Sequence, residues 1–471
     1  MKGGLRSAAL ALGLLLAASA SADTVFTITL NVNYYQDATA DRVAPAIRRH
    51  LILMRKHGFR ADYTFTWLAA RMVAERDPGL FAELEAAGMG IGHHGANRPP
   101  HPNPIELVQG KSWDAAVAAV REYESHDVDP ATGALLPSLG GLLGLRTLYG
   151  LTPLATGRFV RAPVLLVAEE HGARMMVGLA SNVGASSAEA WFMGALNRPE
   201  HADLTVEPDA YDPKDGTQGA AAVAALASAL ATRSDGLHFG ALLVHDSEFV
   251  GGSIQNMRAS GVPDSRNEAY WRAYETIVAY LAARPEVRVR TQRQIFDAAI
   301  PEGAITAQEL ALAASNLAAA STLPLFVETG DRRLSLARAL IALEETVAAA
   351  GSGAAAPATA GAVSVLGPRA EAPASLGTLS LSRPDLVRAA ASSAGRDGSF
   401  IRSTVTVGGR TLNAAEYLTA LARLVASGYP SEVRVEGLSL FPDGTGAVQD
   451  ALTRLQFWTY EPARFAVERL R

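Results

Sequence analysis

The chain has 471 residues, 49% of them apolar, and a net charge of −5 with both signs interspersed. That length predicts two or three domains with enough apolar residues for a large core. No basic stripe or polybasic cluster is present, which argues against nucleic acid or anionic lipid as partners, and with no cysteine stability must come from burial instead of disulfides.

The first 22 residues read as a removable segment. Lys2 and Arg6 precede the apolar run Ala8–Ala18, and Ala20-Ser21-Ala22 follows as a small-residue cleavage site. This is the order of a secretory signal peptide, and its apolar part is shorter than the ~20 residues that span a bilayer. No later window is long and apolar enough for a transmembrane segment. The mature protein is therefore expected to be exported, to the periplasm or outside the cell.

From Asp23 to residue 300, strand-like runs alternate with helical ones. Val25–Val32 reads as a strand, and Asp41–His57 repeats Val43, Ile47, Leu51 and Met54 at helical spacing. Asp62–Trp67 is strand-like, Asp77–Ala87 helical, Gly90–Gly92 a strand end, and Ser112–Ser125 helical. Arg161–Val167 and Arg174–Leu179 read as strands. Gly219–Thr232 reads as a helix, Phe239–Val244 as a strand, and Arg266–Ala283 as a helix. Val287–Arg290 is a last strand and Thr291–Ala299 a last helix. The alternation predicts an α/β fold with a parallel sheet and crossover helices, wound open or closed as a barrel, with its chemistry at the carboxyl ends of the strands.

Beyond Pro301 an internal repeat begins. Glu309-Leu310, Val327–Leu334 and Leu340–Leu343 are echoed by Asp385-Leu386, Val405–Leu412 and Leu418–Leu421. The unit reads as helix, short extended segment with a Gly turn, then helix. Such modules stack or bind more often than they catalyse. Ala349–Gly361 (AAGSGAAAPATAG) has linker composition. The expected domains are therefore residues 23–300, a first module over 301–350, a linker over 351–380, and a second module over 381–471.

Three regions carry chemistry. MGIGHHGANRPPHPNP (Met89–Pro104) places His93, His94 and His101 within a stretch stiffened by proline, and neutral imidazoles there suit zinc or a similar divalent ion. His245-Asp246 emerges from the apolar strand Ala241–Val244, where the imidazole can meet a leaving group and the carboxylate can fix its tautomer. The end of the first strand carries Asn31 and Asn33 on one side, by the period of two, with Asp37 the next carboxylate. An amide oxygen can ligate a metal but cannot serve as a general base. Arg161-Ala162-Pro163 would add a guanidinium able to orient a carboxylate.

In order and spacing these segments resemble the NodB-type polysaccharide deacetylases, a carbohydrate esterase family with a distorted (β/α) barrel. The resemblance runs from about Val25 to Ala299. The family's Thr-Phe-Asp-Asp strand end meets TLNVNYY here. Its KHGxxATFF phrase meets RKHGFRADYTFTW (Arg55–Trp67), and its Gly-Asn-His-(Ser/Thr)-x-x-His-Pro loop meets the segment holding His94 and His101. Arg161-Ala162-Pro163 is similar to its Arg-x-Pro motif, and Leu243-Val244-His245 to its Leu-x-His motif. The resemblance departs at the first motif, where Asn31 with Val32, or Asn31 with Asn33, replaces the aspartates that serve as base and metal ligand. The C-terminal repeats faintly resemble pseudomurein-binding repeats, which implies affinity for cell-wall glycan.

Two functions follow from these expectations. In the first, His94, His101 and Asn33 hold a divalent metal, zinc by donor type. A water bound there attacks an acyl group of an extracellular polysaccharide or cell-wall glycan. Asp37 or Asp246 takes the proton, His245 serves the leaving group, and Arg161 orients a carboxylate. In the second, the fold persists without the reaction, and barrel and repeats both serve attachment to carbohydrate.

Overall fold

The computed structural model describes residues 23–33, 37–95, 103–157, 161–177, 189–198, 204–206, 218–233, 236–250, 264–301, 303–354, 359–360, 365–448 and 450–471. The amino-terminal part is built on one sheet. Its strands are β1 (Asp23–Val32), β2 (Asp62–Phe65), β3 (Gly90–His94), β4 (Ala155–Gly157), β5 (Met175–Val177), β6 (Ala190–Phe192), β7 (Ala195–Arg198), β8 (Leu204–Val206), β9 (Leu237–His245) and β10 (Val287–Val289). The spatial order is β8-β9-β1-β2-β3-β4-β5-β7-β6, with β10 paired to the first half of β1. All of these pair in parallel except the hairpin β6–β7. Among the described residues the path is open, a curved half-barrel, where the sequence resemblance implied a distorted (β/α) barrel.

β1 shows how the sequence builds this sheet. Phe26, Ile28, Leu30 and Val32 point outward and are fully buried beneath helices, while Thr27, Thr29, Asn31 and Asn33 alternate with them on the concave side. The helix Asp37–Lys56 lays Val43, Ile47, Leu51 and Met54 on that outer layer, each with no exposed surface. Burying one such side chain stabilises the fold by about 1.5–3 kcal/mol. Within this layer His50 is wholly buried between two phenols, with Nδ1 2.8 Å from the Tyr63 hydroxyl and Nε2 2.7 Å from that of Tyr274. Burial pushes the His50 pKa down to about 3, so the ring stays neutral.

Two glycines of the histidine-rich segment are needed by the concave side. A Cβ on Gly90 would lie 1.8 Å from an Asp62 carboxylate oxygen, and one on Gly92 would lie 2.8 Å from the Thr64 methyl. β3 is bare there because the side chains of β2 lean across it.

One expected strand is a helix. Arg161 precedes the helix Ala162–Glu170, which has proline in its first turn. Pro163 is preset for a helix start, and the run Ala162–Ala168 is buried nearly all round, so its apolar pattern carries no period that separates strand from helix.

The carboxyl-terminal region, expected as a mostly helical repeat, contains strands as well as helices. Each copy runs strand, helix, two-stranded hairpin, helix, strand, the second with a further short hairpin (Arg396–Asp397 with Phe400–Ile401) after its first helix, and the outer strands pair with each other. In the first copy Ile305–Thr306 pairs with Thr359–Ala360, and in the second Thr378–Ser382 pairs with Glu432–Glu436. The hairpins are Val327–Leu334 and Thr404–Asn413, turning at Gly330 and at Gly408-Gly409, all with positive φ. Thr306 with Glu309, and Asn413 with Glu416, form reciprocal caps at helix starts.

The copies are not independent. Helix Ala307–Ala319 packs on Ala414–Ala426, and helix Leu336–Gly351 on Arg383–Ala391, so each copy lends helices to the other. A single apolar cluster runs through both, from Ile305 to Trp458. The boundary near Pro301 is likewise crossed. A strand β11 (Glu461–Pro462) extends the barrel sheet at β6, and Arg464–Phe465 pairs with Ala299–Ile300. Leu325, Leu452, Phe457 and Tyr460 share a cluster with Trp113, Val164 and Phe192. Among the described residues no helix is long and apolar enough to cross a membrane.

Candidate functional site at the strand ends

The register sets the site. Across the sheet Asn31 lies beside His245 on one side and Thr64 on the other, Thr64 beside Gly92, and His94 beside Gly157. Paired positions in a parallel sheet share a face, so Asn31, His245, Thr64 and His94 all belong to the concave side at the carboxyl ends. Gly157 pairs with Val177, and Val177 with Arg198. Asn31, Thr64, His94, Gly157 and Arg198 line one cavity of about 40 Å³, together with Thr27, Thr29, Thr156 and Gln292.

The Asn31 amide is fully engaged. Its oxygen accepts the Thr64 hydroxyl, which turns the nitrogen to His245 Nε2 at 3.2 Å. Asp246 opens the short helix after β9 and accepts the Asn33 backbone N–H at 3.2 Å, which ties the ends of β1 and β9 together. The Asn33 side-chain oxygen is buried and has no hydrogen-bond partner.

His93 faces the other way. Its Nε2 lies 3.3 Å from Glu124, whose second oxygen accepts the Leu142 N–H at 3.0 Å. Burial alone would raise the Glu124 pKa, but the interactions with His93 and the Leu142 N–H outweigh it and hold the carboxyl below its usual range.

Of the residues singled out in the sequence, the strand ends bring together His94, His245, Asn33 and Asp246. Arg161 lies elsewhere, in a groove between the barrel and the carboxyl-terminal region, with Lys111, Arg369 and Asp450. Asp37 opens the helix Asp37–Lys56, its side chain outside the described residues, and His101 lies outside them altogether.

Of the three ligands expected for a metal, two lie among the described residues at this mouth, the His94 imidazole and the Asn33 oxygen, which is buried without a hydrogen-bond partner. No group of three or more His, Cys, Asp or Glu side chains able to hold an ion occurs among those residues. A catalytic zinc takes three protein ligands, and stronger ones than an amide, so these two do not fit it by themselves.

Three concave-side residues escaped the sequence reading. Thr64 was legible as the inward position of DYTF. Asp62, two residues earlier on the same face, is fully buried and accepts the Gln292 N–H at 3.0 Å. Burial pushes its carboxyl up to about 7, against the opposing pull of that N–H and of Arg198. Arg198 ends a four-residue strand with no motif to mark it. Its guanidinium donates to the Thr27 hydroxyl at 2.7 Å and the Gly240 carbonyl at 3.2 Å, and lies 3.5 Å from Glu189.

No family model matches the sequence, and no curated protein matches it. Solved structures similar to parts of the chain include a 4-alpha-glucanotransferase from Thermococcus litoralis (10% identity, TM-score 0.40), which aligns over 65% of this chain and 44% of its own. A candidate polysaccharide deacetylase from Mycobacterium smegmatis aligns at 15% identity and TM-score 0.36, over 59% of this chain and 90% of its own. A CE4 family pseudoenzyme from Bacillus anthracis aligns at 12% identity and TM-score 0.30, over 58% and 66%. Likenesses this low fix neither the family nor the activity of the chain.

Proposed function

We propose that the protein is an exported carbohydrate-binding protein of deacetylase-like architecture whose strand-end site has lost its hydrolytic base. The observation that carries this reading is the Asn31 amide. It stands where the resembled family has the base, and both its ends are spent on Thr64 and His245. An amide takes no proton from an attacking water, and His245 Nε2 is already occupied by it. The ligand class, an extracellular or cell-wall glycan, rests on the motif resemblance, and the carboxyl-terminal repeats would add a second glycan contact. The test is direct. Protein supplied with zinc should bind chitin oligomers or peptidoglycan and show no release of acetate from them or from aryl acetates. Turnover by the wild-type chain would overturn the reading.

The orphaned Asn33 oxygen favours a second reading, a metal-dependent deacetylase. Here His94, Asn33 and His101 would hold a zinc-like ion, which supplies an activated water when bound. Asp37 or Asp246 would receive the proton and His245 would face the leaving group. It requires about one ion per chain and its loss in His94→Ala.

A further inference from the structure

A second cavity lies at the opposite end of the sheet from the Asn31–His245 pair. Asp62, Gly90 and Ala155, which begin β2, β3 and β4, line it. It holds about 350 Å³, a volume ordinary for small-molecule pockets. Its depth is acidic. Asp62 is 2% exposed. Its Oδ2 accepts the Gln292 N–H, while its Oδ1, lying against Gly90, has no hydrogen-bond partner among the described residues. The ionisable groups facing that carboxyl are the Arg198 guanidinium and the Tyr63 phenol, and burial outweighs the pull of Arg198 and of the N–H. The walls are apolar, formed by Met89, Ile91, Leu151 and Leu154. The rim is basic. Arg60 and Arg293 are exposed there, neither with an ion-pair partner among the described residues, and Glu85 offsets one of their two charges.

We propose that this cavity binds a small zwitterion of the ω-amino acid kind, with its ammonium on Asp62, its methylene chain along the apolar walls and its acidic group at Arg60 and Arg293. Each part of such a molecule meets its complement in order of depth. The ammonium supplies the donor that Oδ1 lacks, and a bond between two charged groups is the strong form of that contact. The chain covers apolar wall that water otherwise wets. A plain amine would leave the rim arginines unused, and a plain carboxylate would leave the Asp62 oxygen without a donor. An uncharged sugar would answer neither charge. The site stands apart from the mouth, so its occupancy is independent of whether the mouth binds glycan.

The experiment uses the full chain, with 6-aminohexanoate as probe and hexylamine and hexanoate as its two half-charged counterparts. Calorimetry should give saturable binding of one 6-aminohexanoate per chain, at least tenfold tighter than either counterpart, and the probe should raise the melting temperature. The ammonium needs the ionised carboxylate, whose pKa burial sets at about 7. Affinity should therefore rise about tenfold from pH 6 to pH 8, a range in which neither end of the probe titrates. Asp62→Asn keeps an acceptor for the Gln292 N–H and removes the charge. It should weaken binding at least tenfold and abolish the pH dependence. Arg60→Gln with Arg293→Gln changes two exposed side chains and leaves the fold intact. That variant should bind 6-aminohexanoate no better than hexylamine. No saturable binding to wild type, equal affinity for the probe and a counterpart, affinity independent of pH, or unchanged binding in the arginine double variant would each overturn the proposal. None of these results bears on glycan binding, which is measured separately.

Discussion

Arg338 and Glu461 form a buried ion pair, with one guanidinium nitrogen 2.6 and 2.7 Å from the two carboxylate oxygens. The Glu461 carboxylate also accepts the Ser335 N–H at 3.1 Å. Arg338 belongs to the first repeat and Glu461 to the strand that extends the barrel sheet, so one contact clamps the two halves of the molecule.

Removing Glu461 takes away the buried carboxylate that accepts from both the Arg338 guanidinium and the Ser335 N–H. Glu461→Ala should therefore destabilise the protein by about 3–5 kcal/mol, read as a shift of one cooperative urea transition. A chain ending at Ile300 should lose cooperative unfolding, because it lacks β11 and the Phe457 and Tyr460 side chains that cover Phe192. A barrel that melts cooperatively alone would contradict this coupling.

His50 makes stability depend on pH with a defined sign. Its folded pKa, about 3, lies below the value of about 6.5 in an unfolded chain. Below pH 6.5 the unfolded state binds a proton that the folded state refuses, so stability falls as pH drops from 6.5 toward 3. The loss between pH 7 and 5 should be about 2 kcal/mol. Asp62 acts oppositely, since its raised pKa removes stability as pH rises from about 4 to 7. His50→Gln should flatten the acid-side loss, and Asp62→Asn should steepen it. An unchanged slope in His50→Gln would show that the ring is not what senses acid.

The glycines of the concave side should differ sharply. Gly90→Ala forces the Asp62 carboxylate to move and should cost at least 1–3 kcal/mol, in the range of core overpacking. Gly157→Ala meets ordinary space and should stay within about 0.5 kcal/mol of wild type. Thermal melts of the two variants decide the matter.

Asn31→Asp tests the proposed loss of the base. If the site is otherwise intact, the variant should gain deacetylation of aryl acetates in the presence of zinc, and the gain should vanish in the Asn31→Asp/His94→Ala double variant. Wild type should be inactive. Activity of wild type that disappears in Asp37→Asn would instead support the hydrolase.

What could be read in the sequence was what repeats at short range. The alternation of β1 and the helical spacing of Val43, Ile47, Leu51 and Met54 follow from local periods, and the structure realises both. Arg161–Val167 was not legible because a helix buried all round has no polar face to set its period. The partners of Asn31 were hidden for another reason. His245 is 214 residues away, and only the register of three strands brings it to the amide. Arg198 had neither period nor neighbour to mark it, and its place became visible only through the pairings β3–β4–β5–β7.

The polar concave face of the sheet has a consequence for how such a protein changes over time. The apolar packing that holds the fold lies outside the sheet, among Phe26, Ile28, Leu30 and the helices over them. Thr27, Thr29, Asn31 and Thr64 on the inner wall take little part in it. Chemistry and foldability are thus written on opposite faces of the same strands, one residue apart. Exchanging a carboxylate for an amide at position 31 leaves the outer face untouched, so selection on folding alone would neither resist the loss of a reaction there nor stand in the way of its return.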